Sequence, residues 1–261
     1  MVLGFVLGNG GLPSVLLGQN SGAVCVLLGD IPHNIENAKV YKKFELTQIP
    51  HMLDFFKENG VTHLCLAGFL KKPTISMKMF SFRLAPLLFR ILMLKNKGDN
   101  SLLTTILNYI EGRGFKIVSA SELVPSLLVN GGVLTNARPS AWQNQAVQLG
   151  VSFLNDISKY DISQACIVSN SGIIAVEGIE GTQNMIQRMA GYGNGAILVK
   201  MPKNGQSLKV DMPTIGIDTV LDCAKSGIAG IAIKAEATII LDMDLTIKTA
   251  NDNGIFIVSV V

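Results

Sequence analysis

Short, continuously apolar runs that each stop at a glycine constrain this chain more than any other feature. Val2–Leu7 ends in Gly8-Asn9-Gly10-Gly11, Ala23–Leu28 ends in Gly29-Asp30, and His63–Ala67 ends in Gly68. A strand with one face in solvent alternates polar and apolar residues. These runs do not, so both of their faces must be covered. Helical segments separate them: one opens at Pro13, one covers Ile49–Asn59 and stops at Gly60, and one covers Leu102–Glu111 before Gly112 and Gly114. A further strand follows at Phe115–Val118. Strands alternating with helices imply crossovers, and crossovers imply a parallel sheet with helices on both sides. Residues 1–124 are therefore expected to form a Rossmann-like parallel-sheet domain.

From Pro125 to Gln148 the chain changes character. Asn130-Gly131-Gly132, Asn136 and Pro139 break it up, acidic residues are missing, and Trp142, the single tryptophan, falls here. This stretch is expected to connect two domains, with a helix running from about Ser140 into Tyr160. Residues 149–261 then carry strand signals at Ala165–Val168, Ile173–Val176, Ala196–Val199, Thr214–Ile217, Gly230–Ile233, Thr238–Leu241 and Ile255–Val260. Helical signals lie at Gln183–Ala190, Asp218–Ser226 and Leu245–Asn253. A second α/β domain with a mixed sheet accommodates them. The expected class is thus α/β throughout, in two domains.

Several function classes are excluded by what is missing. The chain is 48% hydrophobic and 16% charged, against roughly 25% charged in ordinary globular domains. Nothing in it nevertheless reads as a membrane span. The most apolar stretch, Leu84–Leu94, contains Pro86 and Arg90 and falls short of the ~20 residues a spanning helix needs. Met1–Leu7 lacks a basic n-region and runs into glycines, so it reads as a first strand and not as a signal peptide. The four cysteines stand far apart with no CxxC pair, which argues against zinc and for free thiols in a reducing compartment. His33, His51 and His63 have no metal-ligand spacing, and no serine occupies a G-x-S-x-G elbow. Counted from Gly8, the third glycine of a dinucleotide fingerprint falls on Pro13, so the Gly8–Gly11 turn is not that motif. Such a turn at the carboxyl edge of a parallel strand still suits a sugar, phosphate or nucleoside, though a tight turn alone would also explain it.

The informative residues are the scarce charges. Lys71, Lys72, Lys78, Arg83, Arg90, Lys95 and Lys97 form a basic tract without an acid, interleaved with Met, Phe and Leu. That pattern fits a segment meeting anionic lipid or an acylated anion, or else a helix with a solvated basic face. Nucleic acid fits less well, since a stacking surface has no need of so much Met and Leu. Lys97-Gly98-Asp99 opens a helix and offers a lysine and helix N-terminal amides to a phosphate, with Asp99 as a plain cap the alternative. In the second half, Glu177-Gly178-Ile179-Glu180-Gly181-Thr182 and Lys200-Met201-Pro202-Lys203 each end a strand, and Val210-Asp211-Met212-Pro213-Thr214 follows. Lysines and glycine-freed amides suit a polyanion, and an aspartate suits a divalent cation or a water. Surface pairing of these lysines and acids is the competing account. Together the segments point to phosphate chemistry.

At these residues the chain resembles the Mg²⁺-dependent UDP-2,3-diacylglucosamine pyrophosphatases of lipid A biosynthesis that have a Rossmann-like N-terminal domain. The resemblance runs nearly end to end, through Gly10-Gly11-Leu12-Pro13, Ala67-Gly68, Lys72-Pro73, Lys97-Gly98-Asp99, Glu122, Ala175-Val176-Glu177, Glu180-Gly181-Thr182, Lys200, Pro202, Lys203, Gln206, Val210-Asp211 and Pro213-Thr214-Ile215-Gly216. It departs at Phe69-Leu70-Lys71-Lys72, where an asparagine and an arginine are expected before the proline, at Asn100 in place of a second acid, and at Asn204-Gly205 in place of more hydrophobic residues.

The resemblance implies hydrolysis of UDP-2,3-diacylglucosamine to UMP and 2,3-diacylglucosamine 1-phosphate (lipid X), in an active site in the cleft between the domains. It implies Asp211 as catalytic residue and metal ligand, with Mg²⁺ as cofactor and Mn²⁺ as a substitute. Substrate-binding roles fall to Gly10, Gly11, Gly68, Lys72, Lys97, Gly98, Asp99, Gly181, Thr182, Lys200, Lys203 and Thr214. It also implies a cytoplasmic protein, peripheral at the inner-membrane face, that meets membrane but no nucleic acid and is compatible with a homodimer. From the residues alone, a nucleotide-cofactor oxidoreductase and a non-catalytic peripheral lipid-binding protein stay open.

Overall fold

In a computed structural model, which describes residues 1–30, 32, 34–69, 99–204 and 207–261, the apolar runs of the first half become a five-stranded parallel sheet. The elements are β1 (Leu3–Leu7), α1 (Leu12–Gln19), β2 (Val24–Leu27), β3 (Val40–Lys43), α2 (Ile49–Glu58), β4 (His63–Ala67), α3 (Asp99–Glu111), β5 (Lys116–Ile117) and the single turn α4 (Ala120–Leu123). The strand order is β3-β2-β1-β4-β5, and every pairing is parallel. That is the order of a Rossmann-type half sheet, whose direction of winding reverses beside β1. In the register, Phe5 lies opposite Cys25 on one side and Cys65 on the other. Phe5, Leu7, Leu16, Leu17, Leu27, Leu53, Phe56, Leu64 and Ile110 are fully buried around it, each worth about 1.5–3 kcal/mol relative to exposure. Phe44, Phe55, Phe56 and Phe115 meet in succession, tilted or edge-on, at centroid separations of 5.8, 6.1 and 6.3 Å, which ties α2 to the segment before it and to the start of β5.

β3 has no apolar run to announce it. It is an edge strand, Val-Tyr-Lys-Lys, mostly in solvent, and its lysines protect the unpaired edge from other strands.

The second unit, Ser126–Val261, has its own core. Its elements are β6 (Gly132–Val133), α5 (Ala141–Ile157), β7 (Ala165–Ser169), β8 (Gly172–Val176), α6 (Gly181–Arg188), β9 (Ile197–Lys200), β10 (Thr214–Ile215), α7 (Ile217–Lys225), β11 (Gly230–Lys234), β12 (Ile239–Ile240), α8 (Met243–Asp252) and β13 (Phe256–Val260). Six strands form one mixed sheet in the order β6-β13-β11-β9-β7-β8. β13, β11 and β9 are parallel, while β6, β7 and β8 run antiparallel to their neighbours. β10 and β12 pair separately.

The pleat sorts the side chains. Ala165, Ile167, Leu198, Ile231, Ile233 and Ile257 point to a core shared with Met185, Ile186, Val220, Cys223 and Ala250 of α6, α7 and α8. Their alternates Cys166, Val168, Ile197, Val199, Ala232 and Val258 pack against Ala146, Val147 and Leu154 of α5. α5 starts where the sequence suggests, with Ser140 N–H donating to Gln143 Oε1 at 2.8 Å in a capping box. The glycine- and asparagine-rich stretch before it is stitched to the second sheet. Leu134 N–H donates to Ile257 O at 2.9 Å, and Ile257 N–H donates to Thr135 Oγ1 at 2.9 Å.

Among the described residues no helix is long and apolar enough to cross a membrane. All four cysteines are free and buried. Burial pushes the Cys25, Cys65 and Cys166 thiols up to about 12 and raises Cys223 as well. Because the thiolate is the reactive form, native protein at pH 8 should give almost no reaction with a thiol reagent such as DTNB. Four equivalents should react in guanidinium. Rapid modification of any cysteine in the native state would contradict this packing.

Candidate functional site

The carboxyl edge of the first sheet gathers its glycine turns at the point where the winding reverses. Asn9 and Phe69 exchange backbone hydrogen bonds, with Asn9 N–H to Phe69 O at 2.8 Å and Phe69 N–H to Asn9 O at 2.9 Å. Asn9 Oδ1 accepts from the Asp30 N–H at 2.8 Å. The loops after β1, β2 and β4 are thereby one structure. Gly8 and Gly68 make the approach feasible: a Cβ on Gly8 would lie 2.6 Å from Phe69 O, and one on Gly68 would lie 2.5 Å from Asn9 O. Gly68 also has φ +88°, a region costly for other residues. Gly10 and Gly11 complete the turn, and Gly11 O accepts from Ser14 N–H at 3.1 Å as α1 begins. Gly10, Gly11 and Gly68, expected from the sequence to act together, are thus brought together. Lys72, Lys97 and Gly98 lie outside the described residues, as does most of the basic tract. Asp99 is the first residue of α3, and its side chain lies outside them too.

The second unit concentrates its charges at the edge where β9 ends. β8 delivers Glu177 there, α6 delivers Thr182, and Lys200 is the last residue of β9. Lys200 Nζ donates to Thr182 Oγ1 at 2.9 Å, and Thr182 Oγ1 donates to Glu177 Oε1 at 2.6 Å. Glu177 Oε2 accepts the Gln164 N–H at 3.1 Å. Burial drives the Lys200 ammonium below the usual lysine range, while the charges of Glu177 and Asp211 pull it back up. Asp211 therefore belongs to this cluster. It is partly buried, and its N–H donates to Ser207 O at 3.3 Å. Gly181 starts α6 with φ +78°. Thr214 opens β10, where its hydroxyl donates to Met212 O at 3.2 Å.

Two other cations at this edge are paired within the chain. Lys203 Nζ donates to Asp161 Oδ1 at 2.6 Å and to Asp161 O at 3.0 Å. Nearby, Asn204 N–H donates to Ser158 Oγ at 2.5 Å. Together these pin the start of the segment that carries Asp211. Arg188 binds Glu180 Oε1 at 3.2 Å and Val176 O at 3.0 Å. Glu180 is held below the usual carboxylate range by backbone N–H donors and Arg188. The buried Asp222 of α7 accepts from Gln183 and Gln187 of α6 at 3.1 and 3.4 Å. Asp161, Ser158 and Asp222 carry no signal of these roles in the sequence. Their partners lie 42, 46 and 35–39 residues away, and no local pattern marks a pairing of that range.

A reversing parallel sheet with glycine turns at its switch point in one unit, and a mixed sheet whose edge carries lysine, threonine and carboxylates in the other, define a two-domain α/β protein with residue types suited to phosphate groups. The model of the LpxI N-terminal domain matches residues 2–127, and that of the LpxI C-terminal domain matches residues 130–258. The UDP-2,3-diacylglucosamine pyrophosphatase LpxI of Caulobacter vibrioides is 30% identical over 213 residues, covering 78% of this chain and 76% of that protein. The chain belongs to the LpxI family.

Gly68 tests the switch-point packing against a control. Gly22 also has positive φ, +81°, but a Cβ there meets nothing within 4 Å. Gly22→Ala should cost about 1–2 kcal/mol of stability. Gly68→Ala adds the collision with Asn9 O and should cost about 2–5 kcal/mol. Urea unfolding reads both, and equal losses would mean that the loops are not locked together.

Proposed function

We propose that this chain hydrolyses the diphosphate of UDP-2,3-diacylglucosamine, releasing UMP and 2,3-diacylglucosamine 1-phosphate. The observation that carries the reading is the Glu177–Thr182–Lys200 cluster with Asp211, set at a strand edge in a chain of this family. Hydrolysis of a diphosphate needs neutralisation of charge and a water in line with the departing oxygen more than it needs a covalent nucleophile. The water oxygen bonds to one phosphorus, the bridging P–O bond breaks, and the electron pair leaves with the other phosphate.

The residues suit those tasks. Lys200 supplies a fixed positive charge, and its desolvation strengthens its attraction for a phosphate oxygen. Asp211 supplies a carboxylate that can orient the attacking water and accept its proton. The glycine turns at Gly8–Gly11 and Gly68 offer backbone N–H groups suited to a nucleotide.

Mg²⁺ belongs to this proposal. Among the described residues no three His, Cys, Asp or Glu side chains cluster as a metal cage. Mg²⁺ commonly takes one or two carboxylates and completes its shell with water and substrate phosphate oxygens, and Asp211 fits that sparse role. Glu177 fits it less well, because both of its oxygens already accept hydrogen bonds. When bound, the ion would withdraw charge from the phosphate oxygens. A peripheral place at the cytoplasmic face of the inner membrane, through the acylated substrate or the 71–97 segment, completes the proposal, with Mn²⁺ as a substitute ion.

The test is direct. Purified protein with UDP-2,3-diacylglucosamine and Mg²⁺ should release UMP, lose that activity to EDTA, and regain it with Mg²⁺ or Mn²⁺. Asp211→Ala should keep its melting temperature within a few degrees and lose about 100-fold or more in kcat. Wild-type kcat in that variant, or full turnover after exhaustive chelation, would remove the corresponding part of the mechanism.

A further inference from the structure

The hydrogen bonds that end at Lys200 have a fixed direction. An ammonium only donates, a carboxylate only accepts, and a hydroxyl has one proton to give. The Thr182 proton must therefore go to Glu177, at 2.6 Å, and its lone pair must face Lys200 Nζ, at 2.9 Å. Glu177 has no freedom to reverse the arrangement. Its second oxygen is held by the Gln164 N–H, and its own N–H donates to Ala165 O at 2.9 Å, at the start of β7. Thr182 is β-branched and sits in the first turn of α6, which restricts its rotamers. Lys200 lies opposite Ala165 in the β7–β9 ladder, so all the links refer to one corner of the sheet.

Lys203 supplies the contrast. It meets the carboxylate of Asp161 directly, at 2.6 Å, and a cation in such contact has its charge locally offset. At Lys200 a neutral hydroxyl stands between the ammonium and the carboxylate. Among the described residues the ammonium is aimed by one hydrogen bond, to Thr182 Oγ1, with two of its three N–H donors left for other partners.

We infer that Glu177 and Thr182 are positioning residues that act through Lys200: they hold its ammonium in one orientation, so that its remaining N–H donors meet a non-bridging oxygen of the diphosphate as the P–O bond breaks. The inference rests on the hydrolytic reading above and deepens it. It also changes the role that the family resemblance gives Thr182, which here steers a lysine and does not itself touch substrate. Preorganised donors of this kind act mainly on the transition state, since they need no reorganisation when charge develops.

A double-mutant cycle decides it, using the full chain, UDP-2,3-diacylglucosamine and Mg²⁺. Thr182→Val removes the hydroxyl at nearly constant shape and should lower kcat about 10- to 100-fold, with KM changed less than about threefold. Thr182→Ser restores the hydroxyl and should recover kcat to within about threefold of wild type. Lys200→Gln should lose at least as much as Thr182→Val, and the double variant should be no worse than Lys200→Gln alone. The inference is overturned by wild-type kcat in Thr182→Val, by a serine variant as poor as valine, or by losses that multiply in the double variant. Multiplying losses would mean that Thr182 contacts substrate on its own account.

A substrate-free measurement keeps the question answerable if wild-type protein cleaves nothing, a result that would sink the hydrolytic reading. In ¹⁵N-lysine-labelled protein the Lys200 ammonium should give a resolved ¹H–¹⁵N signal that Thr182→Val abolishes and Thr182→Ser retains. A signal unaffected by valine would show that the hydroxyl does not hold the ammonium.

Discussion

A parallel ladder sends the carboxyl ends of its strands to one edge, and both units of this protein are organised by that fact. In the first, β1, β2 and β4 release their loops side by side, so Gly8, Asp30 and Phe69 come within reach of Asn9. In the second, β9 ends at Lys200 opposite Ile233 of β11, which ends one residue later at Lys234, and the antiparallel β7 and β8 bring Ala165 and Val176 to the same edge. Crossover helices bury the faces of the sheets. The edges are where backbone amides and charged side chains can remain available. Every described residue of the candidate site lies at such an edge or in the helix or loop that leaves it.

Charges in so apolar a chain must be accommodated one at a time, because an unpaired buried charge is costly. The second unit shows three solutions within one region. Lys203 meets a carboxylate directly, Asp222 is held by two neutral amides, and Lys200 is reached through a hydroxyl. The first two satisfy a charge and fix structure, with Lys203 pinning the segment that leads to Asp211. The third offsets the charge only in part, which is the ground for the proposal that Lys200 meets a ligand.

The strands that could be read from sequence were those buried on both faces. Val2–Leu7, Ala23–Leu28, Ala165–Val168 and Gly230–Ile233 are apolar throughout because two layers of helices demand it. β3 and β6 escaped for the opposite reason: both lie at a sheet edge, exposed and polar or glycine-rich, and are held mainly by backbone pairing. The Gly8–Gly11 turn shows a related limit. It fails the dinucleotide fingerprint at Pro13, yet the sheet behind it is the parallel, Rossmann-like one expected, because Pro13 is well tolerated in the first turn of α1. Residue types at the site were legible, since glycine, threonine, lysine and aspartate stood together in scarce polar segments. Which lysine is paired was not legible, because Asp161 reaches Lys203 only through the packing of α5 against the sheet.

That distinction bears on the proposed chemistry. A diphosphate ester carries two negative charges, and the transition state moves more charge onto the departing phosphate. Among the described residues at the β9 edge, Arg188 and Lys203 already bind carboxylates, Lys200 is partly offset by Glu177 and Asp211, and Lys234 ends the neighbouring β11. Much of the positive charge at this edge is thus already compensated within the chain. Carboxylates at a polyanion site would make matters worse unless a further cation were present to use them. Asp211 repels phosphate on its own and favours it when it shares a divalent ion, which is the role the proposal gives it. The charge balance of this edge, more than any single ligand, is the physical ground for including Mg²⁺ in the proposal.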